Sequence, residues 1–200
     1  LCLTFIALSA IVFYVYSKKY TALALGLSSL ALVFMIGLKI KWNTLNSDRI
    51  VLYSSANAFH LNLISSDKNT VYTTDSTDIR RIATNFWRQE FVSKPVFYDV
   101  QNIVDQSFVS FAGEKILVAN ESWWKRKSLS GKLSVDLLII GNKCKPKIAA
   151  LLDNVQPRKV VVDATISEWY TESVRQECER RNIPFYSVTK QGAYVQNFTD

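Results

Sequence analysis

The pattern of apolar and polar positions changes character near residue 42. Residues 1–16 and 21–38 carry no charged side chain at all. Beyond residue 42, apolar residues occur in short runs that are separated by polar turns. Short runs of this kind are typical of strands and helices that share one core surrounded by water. The pattern therefore predicts a membrane segment over residues 1–42 and a soluble domain over residues 43–200.

The two uncharged segments are interpreted as a transmembrane helical hairpin, with spans at about residues 1–16 and 21–40. A helix needs about 20 apolar residues to cross a bilayer core of about 30 Å. The connecting turn contains Lys18 and Lys19, and the positive-inside rule places a basic turn in the cytoplasm. Lys39 and Lys41 add a similar charge at the other end of the second span. A secretory signal peptide is the competing interpretation of residues 1–16, but no charged leader precedes them.

The soluble part has its strongest strand signal at Val135–Ile140. Residues 137–141 show no alternation of apolar and polar side chains, which indicates a strand covered on both faces. In open sheets, sites form just beyond the carboxyl ends of such strands. Here that position holds Asn142, Lys143 and Cys144, without His, Asp or Glu.

The other elements follow from the same pattern. A run of three strands comes first, then a helix that is capped by Thr77 or Asp78 and runs through Phe91, and then a hairpin that turns at Ala112–Glu114. From Val135 onward strands and helices alternate, and the last helix has Trp169, Val174 and Cys178 on its apolar face. This order predicts an α/β domain with a mixed sheet, against which a second sheet can pack. The predicted strands are 50–55, 59–64, 70–74, 107–112, 115–119, 135–140, 159–163, 185–188 and 192–197, and the later helices are 146–154 and 167–181.

The charge is unevenly distributed along the chain. Of the net charge of +7, four units come from the four lysines of residues 1–42, which contain no acid, so the remainder carries +3. A mildly basic domain does not by itself require an anionic partner. Local clusters are more specific, because single-stranded nucleic acid is bound by cations along its backbone and by aromatic faces against its bases. The candidate nucleic-acid-binding residues are Trp123, Trp124, Lys125, Arg126, Lys127, Lys132, Lys143, Lys145 and Lys147.

Two other interpretations of the tryptophan-containing basic loop stay open. The loop can be solvated, with its tryptophans packed on the sheet, or it can lie at a membrane interface, where Trp is common. The cysteines leave a similar choice. Cys2 lies in the first predicted span, and Cys144 and Cys178 are predicted to be unpaired thiols, with a disulfide between them as the alternative.

Several stretches, taken in order, resemble a known family. They are Ser55–Leu63, the strand of residues 70–75 that ends in Asp75, the strand Val135–Ile140, the strand of residues 157–162, and residues 182–188 with 192–195 as a closing hairpin. Together with the membrane hairpin in front, they resemble the carboxyl-terminal region of the ComEC family of DNA-uptake channel proteins. The soluble domain of that family has the metallo-β-lactamase fold.

The resemblance implies a fold, a location and a set of partners. The fold would be a metallo-β-lactamase-like mixed-sheet sandwich in a degenerate form. The chain would be a membrane-anchored, non-catalytic domain of a channel that takes up single-stranded DNA in natural transformation. Its partners would be membrane lipid, the remaining domains of the channel and single-stranded DNA. It would reside in the bacterial inner membrane, with residues 43–200 on the extracytoplasmic side.

The chain departs from the family where metal ligands are expected. Metal-dependent members carry an H-x-H-x-D-H run after the strand that ends in Asp, but residues 76–82 contain no His. The position of a later His-His-Gly-Ser motif holds residues 141–144. The only histidine is His60, which is expected to be a hydrogen-bonded structural residue. Two closely spaced metal ions need several imidazole and carboxylate ligands, so no metal, cofactor or catalytic residue is predicted.

Two alternatives to a non-catalytic DNA-uptake domain stay open. The first is a nuclease or phosphoesterase whose Mg²⁺ ions are held by carboxylates alone, because hard cations accept oxygen ligands. Its candidate ligands are Asp75, Asp78, Asp163 and Glu168, although the same residues fit helix caps and first-turn acids. The second is a scaffold that holds channel subunits together without contacting DNA.

Overall fold

The computed structural model describes residues 18, 20–45, 47–65, 68–90, 92–100, 109–119 and 132–199. The chain divides into two compact units, with the boundary between Leu45 and Asn46. The predicted first span, Cys2 and residues 123–127 of the candidate DNA-binding loop lie outside the described residues.

The first unit contains helix α1, Tyr20–Leu45. Its large apolar side chains are mostly exposed, including Phe34 at 67% and Met35 at 68%. Among the described residues, no helix meets both the length and the apolarity that crossing a bilayer requires. The second predicted span, which falls on this helix, is therefore not confirmed.

The second unit contains two five-stranded sheets, so the domain is a mixed α/β domain. The first sheet has the order β10-β1-β2-β3-β4, in which only the β3–β4 pair is parallel. Helix α2, Ser76–Gln89, joins β3 to β4. The strands of this sheet are β1 (Ser47–Leu52), β2 (His60–Ser65), β3 (Lys68–Thr73), β4 (Val96–Asp99) and β10 (Tyr194–Thr199).

The second sheet has the order β5-β6-β7-β8-β9, and all its pairs are parallel except the β5–β6 hairpin. That hairpin turns at Ala112 and Gly113, whose φ angles of 50° and 77° are those of a tight two-residue turn. The predicted hairpin is thus confirmed. The elements are β5 (Val109–Phe111), β6 (Glu114–Val118), β7 (Leu133–Ile140), α3 (Ile148–Asn154), β8 (Val155–Val162), α4 (Glu168–Arg180), β9 (Phe185–Ser187) and α5 (Val188–Gln191).

Three apolar clusters show how these layers pack. The middle cluster joins side chains of the first sheet, such as Leu61, to side chains of the second sheet, such as Ile139. A second cluster packs α3 and α4 on the outer face of the second sheet, and a third packs α2 on the outer face of the first. The order is therefore helix, sheet, sheet, helices. The central strand β7 is buried on both faces, as its unbroken apolar run predicted.

The sequence interpretation was wrong about several connections. The second span was predicted to end at about residue 40 and the first strand to begin at residue 50, but α1 extends to Leu45 and β1 begins at Ser47. Strand β4 was not predicted, because it is short and follows Pro95. The final strand was predicted to form a hairpin with the strand at 185–188, yet β10 pairs with β1 in the other sheet. Strand order depends on contacts between distant residues, which a local pattern does not contain.

Candidate functional site

A polar pocket opens where strands of both sheets end. Its volume is about 330 Å³. One wall comes from the loop before β2 and from the end of β3, and the other comes from the loops that follow β7 and β8. The lining residues are Asn57, Ala58, Phe59, Thr74, Asp75, Asn142, Lys143 and Thr165. The fold thus places the segment after the central strand at a pocket, as the position of sites in open sheets suggests.

The loop after β7 is a tight turn with an unusual backbone. Asn142 and Lys143 both have left-handed φ angles, 52° and 59°, and the amide of Cys144 donates to the carbonyl oxygen of Gly141 at 3.0 Å. The left-handed region costs a non-glycine residue about 1–2 kcal/mol, although Asn tolerates it better than most. The backbone amide of Lys143 donates to the hydroxyl of Thr165 at 3.2 Å. This contact holds the turn against the loop that follows β8.

Gly141 is required by close packing rather than by its φ angle. A methyl group at this position would lie 2.7 Å from ring carbons of Phe59 and 2.9 Å from Cβ of Asp163. Separations below 3.0 Å are essentially never seen between such atoms. The loop after β7 therefore closes directly onto an aromatic ring of one sheet and onto the end of β8 in the other.

Asp163 lies under this turn and is fully buried. Its Oδ2 accepts a hydrogen bond from the amide of Thr165 at 3.1 Å, whereas its Oδ1 has no partner among the described residues. Burial raises the pKa of this carboxyl to about 6, against the opposing effect of its hydrogen bonds. A buried carboxylate with one unpaired oxygen destabilises the fold, and residues of that kind concentrate at functional sites.

Among the described residues that line the pocket, Asp75 is the only one with a carboxylate, and its Oδ1 caps helix α2. It accepts hydrogen bonds from the amides of Thr77 and Asp78 at 2.8 and 3.2 Å. These bonds satisfy two of the four free amides at the start of the helix. Thr77 or Asp78 had been predicted as the cap, so the observed cap lies two or three residues earlier than expected.

His60 belongs to a buried polar network on the outer face of the first sheet, which packs against α2. Its Nδ1 lies 2.7 Å from the hydroxyl of Thr73, and its Nε2 lies 3.0 Å from Oδ2 of Asp78. Ser55 donates to the same oxygen of Asp78, and Arg81 donates to the other oxygen. Both ring nitrogens of His60 are thus engaged within the protein, as expected for a structural histidine.

The network also determines the charge state of Asp78. Hydrogen bonds from His60, Ser55 and Arg81, in that order of effect, hold the pKa of this carboxyl well below its usual range. Because the folded-state pKa is depressed, the stabilisation is complete above the unfolded-state pKa of about 3.9 and is lost as the pH falls further. Both carboxylate oxygens of Asp78 are therefore engaged in hydrogen bonds within the protein.

The residues around the pocket do not fit a metal centre with two ions. Such a centre needs several imidazole and carboxylate ligands around one point. In the described part of the chain, no three His, Cys, Asp or Glu residues form a group that could hold a metal. Both ring nitrogens of His60 have partners outside the pocket, one oxygen of Asp75 caps a helix, and the pocket turn after β7 presents Lys143. The exposed Glu168 pairs with Lys190 instead.

Three of the candidate DNA-binding lysines lie together at this end of the domain. Exposure alternates along residues 143–147, with Lys143, Lys145 and Lys147 exposed and Pro146 buried. None of the three lysines makes an ion pair with a described carboxylate. Lys132 is also exposed, but it precedes β7 and so lies at the opposite end of that strand. The structure separates Lys132 from the other three lysines.

Cys144 and Cys178 are not joined to each other by a disulfide, and Cys178 is a free thiol, as predicted. Cys178 is buried on α4, and burial raises the pKa of its thiol to about 12. A thiol with such a pKa stays protonated near neutral pH and acts as a small apolar side chain.

Trp169 is the residue that sequence reasoning misplaced. It was assigned to the apolar face of the last long helix, but its side chain is 79% exposed. The buried face of α4 is formed by Tyr170, Thr171, Val174 and Cys178. The signal was available in the spacing, because Tyr170, Val174 and Cys178 recur every four residues and Trp169 lies one position out of phase.

Comparison with known proteins gives one clear match. A family model described as the ComEC C-terminal domain matches residues 50–198, which is most of the chain. A search of the curated proteins and a search of the solved structures each returned no significant match.

Proposed function

Because the chain belongs to the ComEC family and contains its C-terminal domain, we propose that it serves competence DNA uptake as a non-catalytic domain that contacts the incoming single strand. Family membership supports the role in DNA uptake. The absence of catalysis and the contact with the strand are proposals, which the geometry of the pocket supports.

The observation that carries the proposal is the chemistry of the strand-end pocket. Its lining presents two amides, two hydroxyls and one ammonium group, with Asp75 as the single carboxylate. A hydrolytic metal site would need the reverse balance, because metal ions are held by anionic and imidazole groups. Lys143 at the pocket and two further exposed lysines next to it favour contact with an anion instead.

We also propose that the fold is a degenerate metallo-β-lactamase-like sandwich. Support comes from the four layers, in which two sheets with mixed strand directions lie between helices. The pocket lies at the strand ends beyond β3 and β7, where the family resemblance locates its metal-binding motifs. In this proposal, the carboxylate of Asp163, which lies under the turn after β7, is a remnant of the lost metal site.

The proposal includes attachment to the bacterial inner membrane through residues 1–45, with the domain on the extracytoplasmic side. The absence of charge over residues 21–38 and the exposure of Phe34, Met35 and neighbouring apolar side chains support attachment. Alkaline extraction of membranes that contain the chain tests it. The chain should stay in the membrane pellet, and release into the supernatant would contradict attachment.

A nuclease assay of the purified chain tests the catalytic question. Single- and double-stranded DNA should stay intact with Zn²⁺, Mn²⁺ or Mg²⁺, because the pocket lacks a ligand cluster. Metal-dependent cleavage that Asp75→Asn abolishes, while the variant stays folded, would establish the nuclease that uses carboxylates alone. Asp48→Asn, which changes an acid on β1 away from the pocket lining, is the matched control and should leave any such cleavage unchanged.

A further inference from the structure

We propose that Lys143, Lys145, Lys147 and Trp169 form one track for single-stranded DNA, in which the lysines pair with successive phosphates and Trp169 stacks on a base. The proposal depends on the function proposed above in one respect, namely that the ligand is DNA. It assigns the binding surface to this loop and to the start of α4, and it adds Trp169 as the aromatic member.

The lysines are arranged for a linear anion. Residues 144–147 have no helical or strand pairing, and Lys147 has extended dihedral angles, φ −67° and ψ 97°. Lys145 precedes Pro146, which favours an extended backbone at that residue too, so Lys145 and Lys147 point the same way, and Lys143 is exposed in the turn just before them. Alternate residues are about 7 Å apart along such a segment. The segment therefore presents a row of ammonium groups to solvent.

Two hydrogen bonds join this row to the start of α4. The backbone amide of Lys143 donates to the hydroxyl of Thr165, four residues before Trp169. At the other end of the row, the hydroxyl of Tyr170, the residue after Trp169, donates to the carbonyl oxygen of Pro146. Four residues span at most about 14 Å, so Trp169 lies within a few nucleotides of the lysine row.

The exposure of Trp169 is the second, independent observation. Its side chain is 79% exposed on a helix whose apolar face is already complete. Packing therefore does not explain an aromatic residue here, whereas every base has a face that can stack on an indole. The adjacent Glu168 opposes an anion, but Lys190 lies 3.8 Å from its carboxylate and offsets that charge.

Binding of the full chain in detergent to oligodeoxythymidylate, measured by anisotropy across a salt series, tests the track. Trp169→Ala should weaken binding about 5-fold or more without changing the salt dependence, because stacking releases no counterions. Trp169→Phe should restore most of the affinity. Changing the three lysines to Gln should reduce the slope of log Kobs against log[salt] by about 2, at about 0.7 for each lost phosphate contact.

The controls separate this surface from others. Trp42→Ala removes another exposed tryptophan, and a triple Gln variant of Lys68, Lys94 and Lys115 removes three exposed lysines elsewhere. Neither control should change affinity or slope. Trp169→Ala should also leave binding to duplex DNA unchanged, because duplex bases are not free to stack.

Three results would overturn the track. The first is an affinity for single strands that Trp169→Ala leaves unchanged. The second is an equal weakening of single-strand and duplex binding by Trp169→Ala. The third is a salt slope that is the same in the triple lysine variant and in its control. If the wild-type chain binds single strands and Trp169→Ala has no effect, the track fails while the proposed DNA contact stands. If the wild-type chain does not bind single strands at all, both fail.

Discussion

The domain has two polar regions, the His60–Asp78 network on the outer face of the first sheet and the pocket at the strand ends of both sheets. They differ in how many of their polar groups have hydrogen-bond partners. On the outer face of the sheet, every polar atom of His60 and Asp78 that is buried has a partner. At the strand-end pocket, by contrast, Asp163 has an unpaired oxygen and two consecutive residues have left-handed φ angles. A fully paired network stabilises a fold, whereas unpaired and strained groups persist mainly where function needs them.

The comparison shows why the only histidine is a poor guide to function here. Histidine commonly marks a site because it titrates near neutral pH and binds metals. In this domain His60 lies in the fully paired network that stabilises the fold. The pocket is lined mainly by amide, hydroxyl and ammonium groups instead. The predictions below test each region in turn, and they are ordered by expected effect.

The largest effect is expected from His60→Ala in the paired region. The change creates a cavity at a fully buried position and removes the ring that bonds Thr73 and Asp78, although Asp78 keeps its bonds from Ser55 and Arg81. We expect the free energy of unfolding to fall by about 3–4 kcal/mol, because a buried ring is replaced by a cavity and two hydrogen bonds are lost. Urea denaturation of residues 46–200 measures this change. A loss below about 1 kcal/mol would show that the network is not stabilising.

Gly141→Ala tests the close packing at the pocket. The new methyl group would overlap the ring of Phe59 and Cβ of Asp163, and both belong to the packed interior. We expect a loss of about 1–3 kcal/mol, as for other overpacked positions. Gly37→Ala is the matched control, because a methyl group there meets nothing within 4 Å. Equal effects of the two changes on the cooperative unfolding of the second unit would contradict the packing argument.

The pH dependence of Asp163 tests the unpaired carboxyl. Its folded-state pKa of about 6 lies above the unfolded value, so its contribution to stability is complete below about pH 3.9 and is lost as the pH rises through 6. Between pH 5 and 7.5, the wild type should lose about 1 kcal/mol relative to Asp163→Asn. Denaturant titrations at both pH values measure the difference. Parallel pH profiles would show that Asp163 is charged in both states.

The smallest effect is expected from Arg81→Ala at the rim of the paired region. Its side chain is 79% exposed, and its hydrogen bond to Asp78 is one of three on that carboxylate. Exposed ion pairs contribute about 0–1 kcal/mol, so a loss below 1 kcal/mol is expected in the same denaturation assay. A loss as large as that of His60→Ala would mean that Arg81, not His60, holds the network together.

Much of the fold could be predicted because its signals are local. The unbroken apolar run at β7, the apolar spacing of Ile79, Ala83 and Trp87 on α2, and the β5–β6 turn all depend on neighbouring residues. The candidate site could be predicted only in part. The segment 142–147 was identified because it follows the strongest strand, but its partners Thr165 and Trp169 come from another part of the chain.

The sequence by itself determined most of the order of strands and helices, except β4 and α5, together with the small number of possible metal ligands and the separation between an apolar beginning and a mixed α/β domain. Each of these depends on composition or on periodicity within a few residues. Only the tertiary structure decided that β10 joins the first sheet, that Asp78 is the partner of His60, and that Trp169 is exposed beside the lysine row. These features depend on which distant segments of the chain contact each other. Those contacts are set by the packing free energy of the whole core.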